Sequence, residues 1–529
     1  MRLRIMTASR RLLYALLLGL LASSPAIAES VLRSGHPGEP DSLDPHLAVA
    51  APALVVINDL FESLLTLDAR GKPIAGAAAS YSLSDDQRTY SFTLRPNLLW
   101  SDGRVITADD FVYSIRRLAD PATAATTLAG FVDLFANGRA VLSGQLPPSA
   151  LGVAAPDSRT VRITLAQPTP YFPTVIALPV FAPVPRHLIE TVGQGWTRPG
   201  VMVSNGPFVL EAWRPGDQVR VRRNPRFHAA ASVRLDGVIY RPIIDLNAGL
   251  RMFLAGDLDV MTNFPPERLD SLRQQRPGEL RLSPSLGVTV YVINHRNPKL
   301  QDARVRQALS LAIDRDLLTT RVIRSGDRSA WSLVPPGMAG YGELLSAPPG
   351  SAAQRVARAR QLLSDAGYSM ARPLDVELLY HSSEEHKRVA VAVTAMWQDI
   401  GVRASLRNAE RQVVEVSARA GDFEIVRAAW FSTYADPMGL LQFLQTGSPA
   451  NAGGYANAAF QQALDQATRL TDPTARLRAL RSAEQLAMQD QAVIPLYFMV
   501  SRRLVSRRVI GWRDDNLTAL RGARWLAVR

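Results

Sequence analysis

The chain has 529 residues, 60 Lys plus Arg against 47 Asp plus Glu, a formal charge of +13 and no cysteine. A single hydrophobic core stops growing near roughly 250–300 residues, so a one-domain molecule is excluded, and the missing thiol excludes disulfide staples, thiolate zinc sites and cysteine nucleophiles. Lys72, Lys299 and Lys387 are the only lysines; the arginines are scattered without a long basic block, which reads as codon bias rather than a phosphate-binding surface, and no nucleic acid is expected as a partner.

In chain order, Arg2, Arg4, Arg10 and Arg11 precede an apolar run over 12–22, and Ala26-Ile27-Ala28 places a small-x-small pattern before Glu29. This is the layout of a secretory signal peptide over 1–28. The expected mature chain, 29–529, is exported and soluble, carries +9, and has no cysteine at the cleavage site to take a lipid anchor. No later stretch reaches the roughly 18 apolar residues of a membrane span. The nearest, 171–185, is interrupted by Pro173, Pro179, Pro183 and Pro185.

Tyr90, Phe92 and Leu94 alternate with polar residues, as do Val161, Ile163 and Leu165, and Val219 and Val221 alternate with arginines. Period two predicts half-buried strands. Thr107 with Asp110 forms a capping-box pattern ahead of Phe111, Ile115 and Leu118 on one helical face. Asp302 is placed to cap a helix with Val305, Ala308, Leu309, Ala312 and Ile313 on its stripe, and Val389, Val393, Met396, Trp397 and Ile400 repeat likewise up to Gly401. Asp472-Pro473 has the cap-then-proline order of a helix start, with Leu477, Leu480, Ala483 and Ala487 following. Interleaved strands and helices predict α/β or α+β domains.

Catalytic signatures are absent. There is no H-E-x-x-H, G-x-S-x-G or G-x-x-x-x-G-K-[ST], and Gly193-Gln-Gly195 lacks a third glycine and reads as a loop. Of seven histidines only His381 and His386 are near each other, and a spacing of five does not align two imidazoles on one helix face. Asp85-Asp86, Asp109-Asp110, Glu384-Glu385 and Asp514-Asp515 are adjacent pairs whose side chains diverge, as turn and helix-start residues do. No catalytic residue, metal or cofactor is predicted.

A set of collinear segments carries more information. Glu39-Pro-Asp-Ser-Leu-Asp-Pro45, Asp59-Leu-Phe-Glu62, Ser91-Phe-Thr-Leu-Arg95, Trp100-Ser-Asp-Gly103, Thr107-Ala-Asp-Asp-Phe-Val-Tyr-Ser114, Ser204-Asn-Gly-Pro-Phe208, Arg223-Asn-Pro225 and Phe253-Leu-Ala-Gly-Asp-Leu-Asp259 follow in order. Val305-Arg-Gln-Ala-Leu-Ser-Leu-Ala-Ile-Asp-Arg315, Leu362-Leu-Ser-Asp-Ala-Gly-Tyr368, Arg427-Ala-Ala-Trp430, Ala435-Asp-Pro437 and Ile494-Pro-Leu-Tyr497 complete the set. Together they resemble the periplasmic oligopeptide-binding proteins of ABC importers, extracellular solute-binding protein family 5. The resemblance implies an α/β, two-lobed, three-domain periplasmic binding protein fold (type II, cluster C) with its ligand cleft between the lobes. It implies domain I at 30–51, 180–285 and 500–529, domain II at 52–179 and domain III at 286–499. It also implies a monomeric, non-enzymatic periplasmic receptor that delivers a peptide or small solute to permease subunits at the inner membrane.

The resemblance further implies ligand-binding roles. Arg427, before a small-small-Trp motif, stands where a carboxylate partner is expected; Trp430 lines the same cleft; His386 matches a histidine that serves longer peptides; Glu39 and Asp436 fall in matching segments. Peptide-binding members carry an aspartate where this chain has Thr433, to receive the ligand's α-ammonium. A hydroxyl accepts a hydrogen bond but does not neutralise a buried cation. Asp436 is either its substitute or the start of the helix at Pro437. Ala124-Ala-Thr-Thr-Leu128 also lacks an aromatic that members place near the ligand. The expected ligand is therefore a peptide-like solute with an acidic group and a blocked or absent amine. The alternatives are a metal chelate, opine, glycan or antibiotic on the same fold, a secreted hydrolase, and a chaperone or sensor partner.

Overall fold

The computed structural model describes residues 29–125, 127–338, 340–342 and 347–529. The signal peptide expected over 1–28 lies outside them, as do Thr126 and the side chains of Thr127 and Leu128 in the segment expected to lack an aromatic. No helix among the described residues is long and apolar enough to cross a membrane.

The chain opens with strand β1 (Val31–His36) and helix α1 (Ala51–Leu60), which begins on Pro52 near its first turn. Next comes an antiparallel four-stranded sheet, order β2-β3-β5-β4, made of β2 (Ala78–Leu83), β3 (Thr89–Leu94), β4 (Val153–Asp157) and β5 (Thr160–Thr164). Tyr90, Phe92 and Leu94 point to its buried face, as their alternation predicts, and pack with Val161 and Ile163. Helix α2 (Ala108–Ala119) starts at the expected capping box: Thr107 N donates to Asp110 Oδ2 at 2.8 Å. It buries Phe111, Ile115 and Leu118 in the same core. The Gly193-Gln-Gly195 stretch is a short 3-10 turn, not an irregular loop, because Trp196 is buried and its indole donates to Asp44 Oδ2 at 3.2 Å, which fixes the backbone around it.

Two short antiparallel pairs stand apart, Leu65–Leu67 with Pro73–Ala75 and Val509–Ile510 with Ala527–Val528, and eleven strands build one large sheet. They are β6 (Phe208–Arg214), β7 (Gln218–Arg223), β8 (Gly237–Pro242), β9 (Val260–Met261), β10 (Leu280–Ile293), β11 (Arg328–Ser329), β12 (Leu374–His381), β13 (Val402–Ala409), β14 (Ile425–Phe431) and β15 (Val493–Val505), together with β1. The order is β13-β12-β14-β10-β15-β9-β1-β8-β7-β6, with β11 paired to β15. Helices α3 (Ala303–Leu311), α4 (Glu384–Gln398), α5 (Arg411–Ala420) and α6 (Pro473–Gln489) cover the half that contains β12 and β14. Asp302 caps α3 and Asp472 caps α6, each accepting from a first-turn amide. On α6, Leu480, Ala483 and Ala487 are buried and Leu477 is half-buried.

Two long strands tie the halves together. Residues 280–284 of β10 pair with 500–504 of β15, and residues 288–292 pair with 493–498, with the register broken between Pro284 and Val288. Gly287 sits at that break. A Cβ there would lie 2.7 Å from Phe431 Cε1, so a larger residue would displace the aromatic ring. Past the break, Val288, Val290 and Val292 face one apolar cluster while Tyr291 and Ile293 face another. A sheet buried on both faces explains the near-continuous apolar run of this strand. Trp397 of α4 is fully buried, and its indole donates to Leu309 O of α3 at 2.9 Å.

Candidate functional site

Strand β14 presents Arg427, and antiparallel pairing sets its neighbours: Arg427 lies opposite Tyr291 and Trp430 opposite Val288 of β10. The β12–α4 connection brings in His381 from the strand end and His386 from the first helical turn. They lie on different elements, so the helical-spacing argument does not apply to them. The rings meet edge to face with centroids 4.1 Å apart, and His386 Nδ1 lies 3.3 Å from His381 O. No cluster of three or more metal-ligating side chains occurs among the described residues.

His381, His386, Arg427 and Trp430 line one cavity of about 570 Å³. Trp430 stacks on Phe443 with centroids 5.0 Å apart and planes at 8°, forming a flat wall. Arg427 is half-buried; its Nε is buried without a hydrogen-bond partner, and no described carboxylate pairs with it. Burial pushes the Tyr497 phenol up, and the adjacent Arg427 guanidinium acts in the opposite direction. Helix α5 adds Arg411 and Arg419, both paired with Glu415, at 2.9 and 3.5 Å.

Burial first, then the Arg427 charge, holds the His386 imidazole down to about 4. His381 is lowered for the same two reasons. Both rings are therefore neutral near pH 7. A folded-state value below the unfolded one means that the unfolded chain binds more protons between about 4 and 6.5, so stability falls as pH drops through that window. Thermal melts of His386→Gln and wild type at pH 7 and about 4.5 are expected to show a smaller acid-induced loss in the variant.

The other expected ligand residues lie elsewhere. Thr433 is exposed on the turn after β14 and does not line the cavity. Asp436 starts the short helix Met438–Leu441, accepting from Met438 N at 2.9 Å, and forms a bidentate pair with Arg476 of α6 at 2.7 and 2.8 Å. Glu39 is exposed after β1 and accepts from Gly216 N at 2.9 Å. Sequence reasoning passed over Phe443, Arg411, Arg419 and the Tyr171–Tyr434 stack. The stack has centroids 5.2 Å apart and planes at 5°, and it joins the segment after β5 to the segment after β14. The i, i+4, i+8 spacing of Arg411, Glu415 and Arg419 was a readable signal.

A guanidinium without a carboxylate partner among the described residues, beside a stacked aromatic wall and two neutral imidazoles, suits a carboxylate carried on a flat or apolar body. A family model described as bacterial extracellular solute-binding proteins, family 5 Middle, matches residues 72–452. The chain is 35% identical over 503 residues to a probable deoxycholate-binding periplasmic protein, YgiS, of Escherichia coli, covering 94% of this chain and 93% of that one. It is 35% identical to the periplasmic murein peptide-binding protein MppA of Escherichia coli, covering 90% and 89%. To the periplasmic oligopeptide-binding protein OppA of Salmonella typhimurium it is 34% identical, covering 95% of each. Among solved structures, the unliganded open form of MppA superposes with a TM-score of 0.84 at 34% identity, covering 95% and 98%. Haemophilus influenzae OppA in complex with the peptide RPPGFSPFR superposes at 0.77 and 29% identity, covering 95% and 99%.

Proposed function

The chain belongs to the bacterial extracellular solute-binding proteins of family 5, and from that premise we propose that its solute is a peptide-like acid without a free α-ammonium, held through its carboxylate by Arg427. The protein is the periplasmic substrate-binding component of an ABC importer, and it captures its solute between lobes that close and hands it to the permease. Closure gives the loaded form a shape that the permease can distinguish from the empty one. That work needs no covalent step, and we read the protein as a binding protein rather than an enzyme. We assign domain I to about 30–51, 180–285 and 500–529, domain II to 52–179 and domain III to 286–499. The register break between Pro284 and Val288 supports the last boundary, and the confinement of the four-stranded sheet to residues 78–164 supports the second domain.

The observation that carries the ligand reading is Arg427, half-buried with no carboxylate partner among the described residues, in a cavity walled by Trp430 and Phe443. We assign Trp430 to stacking on the ligand and His386 to hydrogen bonding as a neutral ring. Thr433 provides no charge for an ammonium, and Asp436 is held by Arg476. Glu39 does not line this cavity, and we assign it no contact with the acid.

A second reading, a non-peptide amphipathic acid, is favoured by the relative named for deoxycholate binding together with the exposed Thr433. Calorimetry with a tripeptide, its N-acetyl form and deoxycholate separates the cases. The proposal expects the acetylated peptide to bind at least as tightly as the free one. Deoxycholate binding without either peptide selects the second reading. Tight binding of the free peptide that is lost on acetylation would overturn both.

A further inference from the structure

A second cavity shares no lining residue with the one at Arg427. It is a crevice of about 180 Å³ between the face of β1 that carries Leu32, Ser34 and His36, helix α1, and the C-terminal segment 512–526. Pro37, Ala51 and Ala519 are exposed and form its mouth.

Two guanidinium groups line this crevice, and neither makes an ion pair with a described residue. Arg503 is only 7% exposed, its Nη1 is buried without a hydrogen-bond partner, and its guanidinium makes no ion pair with a described residue. Arg521 donates only to main-chain oxygens, Thr518 O at 2.9 Å and Asn516 O at 2.7 Å. Both stand over the Trp512 ring, 5.9 and 5.3 Å from its centre.

Acidic neighbours do not neutralise them. Asp59, the one carboxyl in the lining, accepts from the Tyr240 hydroxyl at 2.5 Å and from Ala523 N at 2.8 Å, and burial pushes it up to about 7. From outside the lining Asp514 acts on both arginines and Asp515 on Arg521, but Asp514 pairs with Arg281 at 3.6 Å and Asp515 with Arg513 at 2.9 Å. The His36 ring is hydrogen-bonded to Ser34 Oγ at 2.9 Å, and burial pushes it down to about 4, so it adds polarity without charge. A buried guanidinium lacking a partner is unfavourable, and an anion entering the crevice supplies one. The walls beyond the arginines are apolar: Val55, Val260 and Leu526. A cavity of about 150 Å³ is enough to admit benzene, so the volume here is sufficient for a six-membered ring bearing a carboxylate.

We propose that this crevice is a second binding site, for a small organic monoanion the size of benzoate, with Arg503 and Arg521 on the carboxylate and Val55, Val260 and Leu526 around the apolar body. The test uses the mature chain carrying Arg427→Ala, so that the first cavity does not compete, titrated calorimetrically with benzoate and with benzyl alcohol. One equivalent of benzoate is expected to bind, at least about ten-fold tighter than the neutral alcohol. Adding Arg503→Gln, which removes the charge, or Val55→Phe, which fills the apolar end while keeping both arginines, is expected to weaken benzoate by about ten-fold or more. No saturable benzoate binding in the Arg427→Ala protein, equal binding of the alcohol, or binding that survives both added substitutions would overturn the proposal.

Discussion

Arg427→Ala is expected to weaken binding of an acidic solute by roughly 2–5 kcal/mol, the cost of truncating one partner of a buried, hydrogen-bonded charge pair. That corresponds to between about 30-fold and several thousand-fold in Kd. The size follows from the setting. The guanidinium is half-buried, has no carboxylate partner among the described residues and lines a cavity whose two imidazoles are neutral near pH 7. On the proposed reading a ligand carboxylate is its counter-ion, and removing the guanidinium leaves that carboxylate desolvated without a partner. Calorimetry on the solute that co-purifies with the protein measures the loss directly. Lysine at the same position is expected to recover only part of it, because an ammonium does not reproduce the bidentate fork. Unchanged affinity in the alanine variant would remove Arg427 from the binding role.

Asp436→Ala is expected to destabilise the fold by roughly 3–5 kcal/mol, the usual result of removing one member of a buried ion pair. Arg476 is 7% exposed and both of its terminal nitrogens are committed to Asp436, so the substitution strands a buried cation. It also removes the acceptor for Met438 N. The Arg476 guanidinium stands 5.6 Å over the Tyr171 ring, which stacks on Tyr434, so a loosened pair also disturbs the contact between the two segments. Combining Asp436→Ala with Arg476→Met is expected to restore most of the loss, since both charges are then gone. Urea unfolding of the two variants checks this. A double variant no more stable than Asp436→Ala would show that the pair is not the source of the loss.

Local pattern made much of this molecule readable in advance. The alternation at Tyr90, Phe92 and Leu94, the capping box at Thr107, and the caps at Asp302 and Asp472 each depend on residues a few positions apart, and each has the predicted structure. Arg427 and Trp430, marked by the run of motifs around them, line one cavity. Pairings between distant segments were not readable in advance. Arg476 lies 40 residues beyond Asp436, and no local pattern marks it as the partner that fixes Asp436 beside a helix start. His381 and His386 were judged as two positions on one helix, whereas a strand end and a helix start bring them together. Arg503 is one arginine among many in the sequence. Only the fold gathers it with Arg521, Trp512, α1 and β1 into a single crevice.

On the proposed reading, Thr433, exposed and outside the cavity's lining, leaves the amine end of a solute without a charge. It stands where peptide receptors of this kind are expected to carry a carboxylate, and Asp436 nearby is already paired. A solute with a buried ammonium would find no counter-charge there, whereas one with a carboxylate finds Arg427.

Native mass spectrometry of the protein purified from the periplasm, with the released solute identified by fragmentation, tests this most directly. One equivalent of a compound carrying a carboxylate and no free α-amine is the predicted result. A free-amine peptide, or a solute with no acidic group, would contradict it.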